Sequence, residues 1–301
     1  MLKLLCSSAI VATIFCGVPA AYAHEGVNAE IAALGSKIQK EPHNVALYIE
    51  RAALLRREGL FTRALSDLAF AQKLTPQNRE IILEKGLTLA AKGEPKEAES
   101  LLSAFLTSGP PSAKAFEVRG QIREYAKRFV EARADYAAAV ALKPGPDLFL
   151  ARGRMDELLG HWDEAASGYE EGMRILSGAV VLRLALIRVE NKRGHYDRAI
   201  ALIDEMIGSL PVKADWLLLR AEQHEAAGRP AKAREDREEA LHETDRRLAA
   251  RPTDFTRMAR ARALAALGRK KEALLEIETV VAQAPQLEEA RTLLEKIKNL
   301  P

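Results

Sequence analysis

Cysteine is nearly missing from this chain of 301 residues. The only two, Cys6 and Cys16, sit near the amino terminus. The rest can form neither a disulfide nor a thiolate metal site, so packing must supply its stability. Aromatic residues are only 5% of the chain, which limits base stacking and aromatic cages. An excess of one charge is also missing: 45 basic residues face 42 acidic ones, a net +3. A nucleic-acid binder needs a concentrated basic face, so no nucleic-acid partner is expected. No apolar run reaches the roughly 20 residues that span a bilayer. No stretch alternates with period two for long enough to read as a sheet.

Catalytic and metal-binding patterns are missing too. The six histidines are His24, His43, His161, His195, His224 and His242, and none forms HxxxH or HExxH. A helix-borne zinc site is therefore not indicated. GxxxxGK[ST], GxGxxG and GxSxG do not occur, and nothing marks an oriented nucleophile. The expectation is a non-enzyme with no catalytic residue, no metal and no cofactor.

What is present begins with a leader. Lys3 precedes an apolar run over residues 4–18, and Ala21-Tyr22-Ala23 offers small residues at both positions that a signal peptidase reads. Residues 1–23 are expected to be a secretory signal, which makes the mature chain periplasmic or secreted. That chain has no second run of membrane length.

Beyond the leader, one phrase recurs: GHWDEAASGYEEGM at 160–173 and GHYDRAIALIDEMI at 194–207. The alanine after the turn falls at Ala64, Ala98, Ala132, Ala165, Ala199, Ala233 and Ala273, with gaps of 34, 34, 33, 34, 34 and 40. Pro42, Pro76, Pro110 and Pro144 repeat the same 34-residue period. Between these marks the strong helix formers Ala, Leu, Glu, Arg and Lys dominate. A period of this length, found first, decides the architecture.

The pattern resembles the tetratricopeptide repeat (TPR) family, whose unit is 34 residues and two helices. Counted from each first helix, position 8 is small at Ala52, Gly86, Gly120, Gly153, Ala221 and Ala261, with Ile187 the exception. Position 15 is Gly59, Gly93, Gly160, Gly194, Gly228 and Gly268, with Lys127 the exception. Small residues at 8 and 20 let helices approach, and glycine at 15 ends the first helix. The resemblance implies an all-α, right-handed superhelical solenoid. Its seven TPR units would be 45–78, 79–112, 113–145, 146–179, 180–213, 214–253 and 254–287. Residues 24–44 and 288–301 would cap its ends, because one unit cannot bury its own apolar face. His161 and His195 fall at an exposed turn site. The gap of 40 implies an overlong second helix near 240–252, either solvated or a docking ridge, with Glu243 and Arg247 spaced for an ion pair.

Position 7 carries a basic residue in six units. Arg51, Arg119, Arg220 and Arg260 face Asp67, Asp135, Asp236 and Glu276 at position 23, which reads as four structural ion pairs. Lys85 and Arg152 lack that counterpart and so are candidates for a ligand. The resemblance places a concave face on the first helices. There position 5 gives Ile49, Leu83, Leu150, Leu184, Leu218 and Met258, and position 9 gives Arg154 and Arg188. These residues either floor a groove for a peptide or protein, or pack against a neighbouring helix. A non-catalytic binding scaffold is expected. An accessory subunit of an envelope enzyme and a cell-wall glycan binder using Tyr125 and Phe255 are the alternatives.

Overall fold

A computed structural model describes residues 20–301, with side chains from residue 26 onward. The expected leader lies outside the described residues, apart from helical backbone at 20–23. The described residues form sixteen helices and no strand. They divide into two compact units, one ending at Leu182 and the other beginning at Arg183. The N-terminal unit holds α1 (Ala20–Lys40) and four hairpins: α2 (Val45–Arg57) with α3 (Phe61–Leu74), α4 (Arg79–Lys92) with α5 (Pro95–Thr107), α6 (Ala113–Tyr125) with α7 (Phe129–Leu142), and α8 (Pro146–Leu159) with α9 (Trp162–Ile175). The division falls inside α10 (Val180–Lys192), which precedes α11 (Tyr196–Ser209). The C-terminal unit continues with α12 (Ala214–Ala226) and α13 (Pro230–Ala250), then α14 (Asp254–Ala266) and α15 (Lys270–Gln283), and ends in α16 (Glu288–Lys298).

Local chemistry sets the ends of these helices. Six turn glycines adopt positive φ, from 72° at Gly228 to 90° at Gly93, a region that costs an L side chain energy. Lys127 occupies the same site at φ 59° without that freedom. Proline opens α5, α8 and α13, where its missing N–H removes no helical bond. Asn78, Ser112 and Thr253 cap α4, α6 and α14 by accepting from backbone N–H groups.

Packing follows the repeat. The position-20 alanines are all completely buried. Facing them, position 8 is small where the helices come close. A Cβ on Gly86 would meet Leu102 at 3.0 Å, and one on Gly153 would meet the Tyr169 ring at 2.3 Å. Ile187, the departure from the rule, is itself buried. In the N-terminal unit α1 turns Ile31, Leu34 and Ile38 onto the first hairpin, and in the C-terminal unit α16 turns Ala290, Leu293 and Ile297 onto the last. Both leave charged residues on the outer side, as a terminal repeat must.

The overlong helix is α13, with 21 residues. It is neither simply solvated nor a projecting ridge. Leu241, Glu243 and Thr244 are buried, and Asp245 binds Arg260 of α14 at 2.6 Å. Arg247 lies 3.6 Å from Glu243.

Candidate functional site

Arginines and carboxylates lie between the helices of every hairpin but α4–α5. Arg51 holds Asp67 through two bonds of 2.7 Å, and Arg119 holds Asp135 at 3.0 and 2.7 Å. Arg220 meets Asp236 at 2.5 Å, and Arg260 meets Glu276 at 2.8 Å. The hydrogen bond to Asp236 is the main reason the Arg220 guanidinium holds its proton well above the usual arginine range. These pairs fix which faces of the two helices meet. The bidentate geometry adds orientation as well as energy.

Two candidates change role. Arg152 was expected to lack a partner within its hairpin. Its Nη2 meets Glu171 at 2.7 Å and the carbonyl of Gly168 at 3.3 Å, while its guanidinium lies over the Phe149 ring. The acid sits one helical turn beyond position 23, within reach of a long side chain. Arg154 meets Glu124 of the preceding hairpin at 2.6 Å, so this exposed cation is already paired. Lys85 is half-buried and has no ion pair among the described residues.

The apolar floor also divides. Ile49, Leu83 and Leu150 in the N-terminal unit, and Leu184 in the C-terminal unit, are half-buried; Arg188 is exposed. Leu218 and Met258 are each 3% exposed and belong to the core of the C-terminal unit, so they are not groove residues. Arg262 of α14 binds Asp215 at the start of α12 with bonds of 2.9 and 3.0 Å. Tyr125 and Phe255 are 87% and 57% exposed.

A polar feature escaped the sequence reading. Position 11 holds buried titratable groups in three successive hairpins: Asp156, Glu190 and His224. His195 Nδ1 lies 2.9 Å from Glu190 Oε2, and His161 Nδ1 lies 4.0 Å from Asp156 Oδ1. Arg133 also binds Asp156, and Arg193 reaches Glu190 at 2.8 Å. The turn histidines are therefore half of a contact with a buried acid five residues earlier. That fixed offset, Asp156 to His161 and Glu190 to His195, was the available signal. Burial is the main force holding His224 below the ordinary histidine range, opposed by Asp236 3.8 Å away. Among the described residues, no group of three or more His, Cys, Asp or Glu is placed to hold a metal. No described helix is long and apolar enough to cross a membrane.

Helix hairpins in series, locked by arginine–carboxylate pairs and capped at their ends, define a helical-repeat protein. The tetratricopeptide repeat pattern matches residues 49–113, 83–147 and 184–254, together more than half of the sequence. The chain belongs to the tetratricopeptide repeat family, an all-α solenoid class whose members generally serve as non-catalytic scaffolds that bind proteins or peptides. No curated protein matches the sequence. Among solved structures, it is similar to a tetratricopeptide repeat protein of Parabacteroides merdae (20% identity, 85% of this chain and 99% of that one, TM-score 0.50). It is also similar to the C-terminal part of a TPR repeat-containing protein of Cytophaga hutchinsonii (15% identity, 82% and 99%, TM-score 0.58). A third is PilF of Pseudomonas aeruginosa (19% identity, 70% and 94%, TM-score 0.50). At these identities the likeness concerns the fold.

Proposed function

We propose that the chain is exported and acts in the cell envelope as a non-catalytic scaffold. A peptide or protein segment is held against the first helices of the hairpins, by burial and shape. The observation that carries this reading is the state of position 5 in the N-terminal unit. Ile49, Leu83 and Leu150 are only partly buried, Ile49 and Leu83 at the edge of the core, whereas the position-20 alanines of the same hairpins are completely buried. An apolar surface left half-open on a regular array suits an amphipathic or extended segment. The expected signal over residues 1–23 supports export.

The test expresses the full chain with its leader and recovers it from the envelope fraction. Intact mass should place its first residue at His24. The tagged protein should retain a specific envelope protein, and Leu83→Glu with Leu150→Glu should release it while helical circular dichroism is unchanged. Retention by the double variant removes the concave reading; an uncleaved leader removes export.

A further inference from the structure

In the C-terminal unit, the last hairpin is out of step. At two ordinary joints, the position-7 arginine reaches a residue five places after the position-20 alanine of the hairpin before it. Arg119 Nη1 donates to Ser103 Oγ at 3.1 Å, and Arg220 Nη1 donates to Asp204 at 2.6 Å. Arg260 instead meets Asp245, twelve places after Ala233. The contact has moved seven residues along the helix, roughly 10 Å at the usual rise per residue. The long α13 carries the chain past the usual turning point, so α14 starts further along. A second contact agrees. Arg154 at position 9 reaches Glu124 near the end of α6, but Arg262 at the same position reaches Asp215 at the start of α12.

The slide vacates a surface. Glu238 is the α13 counterpart of Ser103 and Asp204, yet its ion partner is Arg234 on its own helix, at 2.8 Å. It lines an open notch of about 710 Å3 with the apolar Leu241, Ala266 and Leu267, among charged neighbours of both signs that include Arg234, Arg237 and Arg269. Position 24 also differs in α13. Leu68, Leu102, Tyr136, Tyr169, Ile203 and Ile277 are buried there, but α13 carries Arg237, tied to Glu225 at 3.0 Å. The Arg237 contact lies within its own hairpin, like those of Tyr136 with Glu124 and Tyr169 with Glu157.

We propose that this notch docks an amphipathic helix of a partner protein, in the place a following first helix holds at ordinary joints. Its apolar stripe meets Leu241, Ala266 and Leu267, and an arginine or lysine on it meets Glu238. The complementarity is internal to the molecule: Arg119 and Arg220 fill the equivalent place at their own joints. The exposed i,i+4 pair between Glu238 and Arg234 is cheap to exchange for the incoming cation. The notch lies along the second helix α13, whereas the concave reading uses first helices, so either can fail alone.

The probe is a labelled synthetic peptide of residues 112–126, the helix whose Arg119 makes this contact at its own joint. It is titrated with the full chain and followed by fluorescence anisotropy. Saturable binding is expected. Glu238→Arg should weaken it by about three- to fivefold, the size of a surface ion pair. A peptide with Arg119→Glu should then prefer the Glu238→Arg protein to the native one. Deleting residues 244–249 restores the period and should abolish binding with helical circular dichroism retained. No saturable binding, or equal binding by native and Glu238→Arg proteins, overturns the proposal.

Discussion

Gly153→Ala separates packing from helix propensity. In a solvated helix, this change stabilises by about 1 kcal/mol. Here the added Cβ would lie 2.3 Å from Cε1 and 2.4 Å from Cζ of Tyr169. The ring must retreat by about 1 Å to regain ordinary contact, but Tyr169 is fully buried and its hydroxyl donates to Glu157 at 2.6 Å. Overpacking costs about 1–3 kcal/mol, and disturbing the buried hydrogen bond adds about 1 kcal/mol. Setting the propensity gain against both, the variant should be less stable by about 1–3 kcal/mol. Gly86→Ala should cost less, because its nearest neighbour is the Leu102 side chain at 3.0 Å. Tyr169→Leu should rescue Gly153→Ala, since it recreates the pair Ala52 and Leu68 of the first hairpin. Urea unfolding followed by circular dichroism measures all four proteins. A neutral Gly153→Ala, or a double variant whose loss equals the sum of the two single losses, would refute the reasoning.

Two further perturbations read the same fold. Lys127→Gly should raise stability by about 0.5–1 kcal/mol, because the residue sits at φ 59° where the other turns use glycine; a lower urea midpoint would contradict this. His224 is buried, its Nδ1 has no hydrogen-bond partner, and burial lowers its proton affinity in the folded chain. Below the ordinary value of 6.5 the unfolded chain takes up the proton first. Stability is therefore retained above about pH 6.5 and lost as pH falls toward the folded value. Thermal melts across that range should show a smaller drop for His224→Gln than for the native protein, and parallel curves would exclude the histidine.

The hairpins were legible because their constraints are local and repeated. A completely buried alanine every 34 residues cannot vary without a clash, and Gly59, Gly93 and their counterparts stand where the backbone turns to positive φ. The position-7 and position-23 pairs were legible for the same reason: sixteen residues separate Arg51 from Asp67 and Arg220 from Asp236. What failed was the assumption that a cation uses only the facing position. Arginine is long enough to reach one turn further, as Arg152 does to Glu171, or to the neighbouring hairpin, as Arg154 does to Glu124. Side-chain reach has no period, so the repeat could not announce it.

Leu218 and Met258 lie in the core of the C-terminal unit, the unit that also holds the interrupted period and the exposed notch. An insertion in a loop would leave the register of the stack intact. Extra turns in a helix cannot, because each residue adds rise along a rigid axis. The long α13 therefore carries α14 further along, as the contact of Arg260 with Asp245 shows, and leaves the surface around Glu238 open. Arg237 stands where six other hairpins bury Leu, Ile or Tyr, and it keeps the contact to position 12 that Tyr136 and Tyr169 make.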